Sequence, residues 1–231
     1  MIIFIDDKPI RIFGIKDKNN VIQEEDFQSI IDARLGPIKA TEFKGNTLII
    51  NFNKDLVEKL FNSLHGELTK NFTSLYILVD DINLVKKEIF NFYELVKAAG
   101  GIVQNDLGQS LFIYRLTKWD IPKGKMEKGE TSRICAVREI KEECNVDVEI
   151  LSKICTTYHT YSMKGKRVLK RTKWYYMKGN NENLIPQKEE GIEKVEWKNP
   201  EDFQEVMKNT FSSIRYVIQM AYVNQSKSSN L

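Results

Sequence analysis

Apolar residues along this chain come in short runs broken by polar clusters, and the spacing within each run predicts an element. Residues 1–5 and 10–13 are apolar runs on either side of the turn-like Asp6-Asp7-Lys8-Pro9, a pattern that predicts a β-hairpin. Phe27, Ile30, Ile31 and Leu35 recur at helical spacing and predict a helix over residues 24–35. Residues 47–52 and 75–79 predict strands. Leu56, Val57, Leu60 and Phe61 predict an amphipathic helix over 55–64. Residues 84–98 read as a helix stopped by Gly100-Gly101.

Beyond that pair, residues 101–103 and 111–114 predict strands joined by Asn105-Asp106-Leu107-Gly108. A loop over 119–129 leads into a helix over 131–144. Strands follow at 148–154 and 174–177, with a hairpin expected between Tyr158 and Trp174, then a loop at Asn180, Asn181 and Asn183. Residues 192–197 predict a strand, and 200–223 a helix in two pieces. The expected organisation is a small α/β domain over 1–95, a second domain over 96–223 and a disordered tail over 224–231, where serines accumulate.

Composition narrows the class. Hydrophobic residues make up 42% and charged residues 29% of the 231, as in an ordinary globular protein. Lys plus Arg is 35 against 32 for Asp plus Glu, so the net charge of +3 is too even to signal nucleic-acid or membrane binding. No apolar run approaches the roughly 20 residues needed to cross a bilayer. The acids Asp6 and Asp7 do not fit a signal peptide. Cys135, Cys144 and Cys155 are odd in number and lack metal-site spacing, so buried thiols in a reducing cytoplasm are expected.

The chemistry concentrates in residues 119–146, WDIPKGKMEKGETSRICAVREIKEECNV. At about 100° per residue, Glu139, Glu142 and Glu143 share one helical sector of roughly 100°. Ile134, Val137, Ile140 and Cys144 are expected on the opposite, core-facing side. Like charges this close repel. A hard divalent cation relieves them, and magnesium joins carboxylates to substrate phosphates. In the preceding loop, Gly124 and Gly129 permit tight turns, Pro122 fixes the entry, and Lys123 and Lys125 can reach phosphate oxygens. The helix N-terminus adds partial positive charge.

This segment resembles the Nudix box, G-x5-E-x7-R-E-U-x-E-E-x-G-U with U a bulky aliphatic residue. Gly124, Glu130, Arg138, Glu139, Ile140, Glu142, Glu143 and Val146 fill its places, and Asn145 replaces the last glycine. That position closes a helix, where Asn is the next choice after Gly. The resemblance covers about residues 97–223. It implies an α/β/α sandwich around a mixed sheet and hydrolysis of a nucleoside diphosphate linked to another moiety. It implies that Glu139, Glu142 and Glu143 hold Mg2+, with Mn2+ as a substitute, and that the Lys123 carbonyl joins them. Glu130 would pair with Arg138. Either Glu139 or a glutamate outside the box, Glu190 before Glu189, would be the general base.

The Pro-Lys-Gly-Lys loop looks like that of members cleaving diadenosine polyphosphates, diphosphoinositol polyphosphates or nucleoside triphosphates. Lys164, Lys166, Arg167, Lys170, Arg171 and Lys173 add a cationic hairpin suited to a phosphate chain, with Lys170 and Lys173 as substrate contacts. A small phosphoanhydride compound is therefore the expected substrate, dinucleoside polyphosphate or nucleoside triphosphate first. The alternatives are a non-catalytic ligand-sensing Nudix module and an RNA 5′-pyrophosphohydrolase, although the chain lacks an extended basic surface signature. For residues 1–95 the open roles are pocket shaping, homodimer formation and regulator binding.

Overall fold

A computed structural model describes residues 1–17, 26–180 and 183–228. It divides into two compact units, one comprising Met1–Leu95 and Tyr158–Lys170, the other Val96–Thr157 and Arg171–Leu231.

The first unit is built on strands β1 (Ile2–Ile5), β2 (Lys8–Gly14), β3 (Ser29–Asp32), β4 (Asn46–Phe52) and β5 (Ser74–Val79). β1 and β2 form the expected hairpin, its two-residue turn placing Asp6 and Asp7 at φ 48° and 61°. β2, β5, β4 and β3 then pair in parallel in that order. Helices α1 (Val57–Leu64) and α2 (Ile82–Phe92) supply Val57, Leu60, Phe61, Leu64, Val85 and Ile89 to a core with Ile3, Ile10, Ile49 and Ile77. Asp81 caps α2 by accepting from the Asn83 and Leu84 amides.

Two helical expectations fail here. Residues 29–32 form β3, not a helix. Ile30 is half exposed and Leu35 is exposed, so the apparent helical stripe buries little beyond Ile31. Glu24 and Glu25, at the start of that predicted helix, lie outside the described residues. Helix α2 ends at Phe92, and β6 (Glu94–Gln104) takes the place of its last turns. Gly100 and Gly101 are strand glycines at close approach: a Cβ on either would fall 2.2 Å from the Pro122 or Tyr175 carbonyl oxygen.

In the second unit β6 is followed by β7 (Ser110–Arg115), β8 (Lys118–Asp120) and β9 (Lys123–Lys125), then helix α3 (Ser132–Cys144). The expected loop over 119–129 thus contains two short strands. β8 pairs with β7 and β9 with β6. A long hairpin, β10 (Val148–Met163) and β11 (Lys166–Gly179), turns at Lys164 and Gly165, both with positive φ. Its outer part belongs to the first unit. β12 (Ile192–Lys198), α4 (Phe203–Lys208) and α5 (Ser212–Ser228) complete the chain. With no Gly or Pro after Val223 to stop it, α5 runs to Ser228, into the segment expected to be disordered. Asn181, placed in a loop by its composition, and the last three residues of that tail lie outside the described residues.

The second unit has the layered α/β architecture expected. Strand order is β12-β7-β6-β11-β10. On one face α3 buries Cys135, Ala136, Ile140 and Cys144 against Val103, Leu111, Ile113 and Met177. On the other, α4 and α5 bring Val206, Ile214, Val217 and Ile218 against Ile102, Phe112, Trp119 and Trp174. Trp174 and Tyr176 belong to this second layer, with the Trp174 indole donating to Thr157 Oγ1 at 2.7 Å.

Candidate active site

Helix α3 is fixed at both ends by local chemistry. The Thr131 hydroxyl accepts from the Ile134 amide, and Asn145 closes the helix at φ 59°, ψ 36°. Its buried stripe is Cys135, Ala136, Glu139, Ile140, Glu143 and Cys144. This corrects the expected faces. Ile134 is 59% exposed, whereas Glu139 and Glu143 sit on the inward stripe, i and i+4 to each other. They can do so because the Lys123 amide of the preceding loop meets Glu143 and the Arg138 guanidinium meets Glu139.

Glu143, only 1% exposed, accepts the Lys123 amide proton at Oε2 over 2.8 Å. The Glu139 carboxylate lies against Gly124, where a Cβ would come within 1.9 Å of Oε2. Arg138 braces the loop. Its Nε and Nη2 donate to the two oxygens of Glu130 at 2.9 and 3.0 Å, and Nη2 also donates to the Lys125 carbonyl at 3.1 Å. Its Nη1 lies 2.9 Å from Glu139 Oε1 and 2.8 Å from Glu142 Oε2.

Burial pushes the Glu143 carboxyl up to about 7, against the pull of the Lys123 cation and amide. Burial likewise raises Glu139, although Arg138 opposes it. The hydrogen bond from Arg138 holds Glu130 below the usual carboxylate range. Glu139 and Glu143 are thus two carboxylates kept out of water whose ionised forms are disfavoured.

The three box glutamates do not meet at one point. Glu139 and Glu142 converge on Arg138, and Glu143 on the Lys123 amide. Among the described residues no three His, Cys, Asp or Glu side chains gather into a metal cluster. The donor set nevertheless fits a hard divalent cation. It consists of carboxylate oxygens, two of them desolvated, and Gly124 leaves clear the space that a side chain would fill beside Glu139.

The remaining sequence-predicted residues fall in different places. Lys125 is exposed on β9. Glu190 ends an exposed 3-10 turn, Lys188–Glu190, and its charge contributes to raising Glu139. The segment leading to it is tied to the end of α3 by the Ile185 and Gln187 amides, which donate to the Cys144 and Glu143 carbonyls. Lys173 is half-buried on β11 in the second unit, while Lys170 belongs to the first. The cationic hairpin is partly committed within that first unit. Arg167 donates to Asn62 at 2.6 Å and stacks over Phe92, and Lys166 pairs with Glu94.

Lys123 departs most from expectation. Its ammonium turns inward to Asp120 Oδ2 at 2.6 Å, and Arg115 Nε reaches the same oxygen at 2.9 Å. Neither Arg115 nor Asp120 carries a motif signal in the sequence. They meet across the β7–β8 hairpin, whose turn is Leu116-Thr117 at φ 52° and 62°. Neither residue is a usual left-handed turn former, so the hairpin left no composition signal.

Comparison with known proteins matches this unit. A family model described as the NUDIX domain fits residues 94–219, more than half of the chain. The chain is 31% identical over 105 residues to the m7GpppN-mRNA hydrolase of Saccharomyces cerevisiae, covering 43% of this chain and 10% of that protein. It is 24% identical over 176 residues to mRNA-decapping enzyme subunit 2 of Arabidopsis thaliana, covering 69% and 46%. The chain thus spans less than half the length of these relatives. Among solved structures, a C. elegans Ap4A hydrolase binary complex shares 24% identity at TM-score 0.45, over 57% of this chain and 98% of that one. A NUDIX hydrolase from Nitrosomonas europaea shares 14% at TM-score 0.47, over 57% and 90%. The box residues, the layered fold around α3 and the family match agree: the chain belongs to the Nudix family.

Proposed function

We propose that this chain hydrolyses a phosphoanhydride bond in a nucleoside diphosphate joined to a second moiety, with Mg2+ or Mn2+ as cofactor. The observation that carries this reading is the pair Glu139 and Glu143, buried on one stripe of α3 against the Gly124 loop. Glu139, Glu142 and Glu143, with the Lys123 carbonyl, would hold the cation. When bound, a divalent ion polarises a phosphoryl oxygen and lowers the pKa of water.

The chain's own residues do the rest. Glu142 is 46% exposed at the side chain, and an exposed ion pair such as Glu142–Arg138 is worth only about 0–1 kcal/mol, so it is free to exchange partners. Arg138 and Glu130 keep the loop seated on the helix. Glu139 or Glu190 takes the proton from the attacking water at a carboxylate oxygen. Lys125, exposed beside Gly124, and Lys173 draw the phosphate chain. A dinucleoside polyphosphate or a nucleoside triphosphate suits these contacts.

A second reading is cleavage at the phosphate-bridged 5′ end of RNA. The sequence matches to an mRNA hydrolase and a decapping subunit favour it. One panel separates the two. The full chain is given dinucleoside polyphosphates, nucleoside triphosphates, capped RNA and 5′-triphosphate RNA, with magnesium or with chelator, and products are identified by mass. Metal-dependent cleavage of the small compounds supports the first reading. Cleavage of RNA ends alone supports the second. Turnover that persists in excess chelator overturns both.

A further inference from the structure

The buried acids Asp120 and Glu143 and the partly buried Arg115 and Lys123 form a group of two anions and two cations. The Asp120 side chain is 2% exposed and fully engaged. Its Oδ2 accepts from Lys123 Nζ at 2.6 Å and from Arg115 Nε at 2.9 Å, and its Oδ1 accepts the Ile121 amide at 2.8 Å. Lys123 is divided between the two acids. Its ammonium is on Asp120, with a longer bond to the Ile121 carbonyl at 3.4 Å, and its amide is on Glu143. The charges of Lys123, Arg115 and Asp120 are all felt at Glu143.

We propose that Asp120 is a positioning residue: by holding the Lys123 ammonium and the Arg115 guanidinium, it keeps both cations off Glu143 and leaves that carboxylate open to a divalent ion. The inference rests on the metal-dependent hydrolase reading above. Without the Asp120 charge, two partly buried cations would share a single buried anion. A buried charge that loses its partner is strongly unfavourable and seeks another. The lysine ammonium sits on a flexible four-carbon stem. Glu143, already bonded to the same residue's amide, is the acid within its influence. An ammonium on Glu143 would displace a metal ion from its ligand.

The test is manganese binding by the full chain without substrate, followed through the paramagnetic resonance of free Mn2+. Asp120→Asn is nearly isosteric and is expected to weaken binding by roughly 10-fold or more. Adding Lys123→Met to Asp120→Asn removes the orphaned ammonium and is expected to recover most of that loss. A merely structural role for Asp120 gives no such recovery. The double variant also serves if Asp120→Asn alone does not fold, because it no longer buries the unpaired lysine. Unchanged affinity in Asp120→Asn, or a double variant that binds as weakly as the single or not at all, overturns the inference while leaving the hydrolase reading in place. A wild-type chain that takes up no manganese overturns both.

Discussion

The amide of Lys123 donates to Glu143 Oε2 across 2.8 Å, joining the glycine loop directly to the carboxylate helix. The loop is thereby held where Gly124 meets Glu139 and where Arg138 reaches the Lys125 carbonyl. Loop and helix behave as one unit, and changes at their contacts should be read in activity before they are read in folding.

Gly124→Ala tests that contact. A Cβ there would fall within 1.9–2.3 Å of the Glu139 carboxylate atoms. The side-chain end can shift, so the fold should survive. A displacement of about 1 Å can cost roughly 100-fold in rate. The expected result is a near-native thermal melt with turnover reduced on that order. Full activity would show that Glu139 need not sit where the structure has it.

Glu143→Gln should separate stability from activity. Burial disfavours the ionised carboxylate, which is why its carboxyl is pushed up to about 7. Removing that charge should leave the melting temperature in chelator equal or higher at pH 8, while hydrolysis is lost. Thermal melts and rate assays on the same sample check both halves.

Arg138→Lys should fail despite keeping the charge. The guanidinium spans both Glu130 oxygens, and an ammonium cannot make that paired contact. Loss of a group that orients the site's ligands costs roughly 10–100-fold in metal affinity or activity. Metal titrations of activity on Arg138→Lys and Glu130→Gln should show similar losses.

In the first unit, His65 shares a 2.7 Å hydrogen bond with the Tyr93 hydroxyl. Burial, then the Arg167 charge, lowers its pKa below the ordinary 6.5. A depressed histidine favours the neutral ring in the folded state. Its contribution to stability is therefore complete above pH 6.5 and is lost as pH falls through the folded value. Urea unfolding should show the wild type losing more stability than His65→Gln between pH 7.5 and pH 5. Parallel losses in both proteins would remove His65 as the cause.

The carboxylate helix was legible because its ends are written locally: Thr131 at the start, Asn145 at the close, and box residues at fixed spacing between. The faces of that helix were not. Apolar character groups Ile134 with Ile140, yet at about 100° per residue the two stand about 120° apart. Glu139 and Glu143 share the inward stripe with Ile140 and Cys144, the Lys123 amide meets Glu143 there, and Ile134 faces outward. Gly100-Gly101 signals a stop in sequence because glycine breaks helices, whereas in the fold it lets β6 approach Pro122 and Tyr175. The segment over 29–32 carried helical spacing but pairs as a strand in register with Thr47 to Ile50. Asp120 and Arg115 stayed invisible because their meeting depends on a two-residue turn that no turn-forming residue announces.

The central claim is that Glu139 and Glu143 jointly hold a divalent ion where a phosphoanhydride is cleaved. Anomalous diffraction from crystals grown with manganese and a non-hydrolysable dinucleoside polyphosphate tests it most directly. The account predicts an anomalous peak about 2.0–2.3 Å from oxygens of both glutamates, in contact with a bridging phosphate. A peak elsewhere, with Glu139 still on Arg138 and Glu143 bonded only to the Lys123 amide, would contradict it.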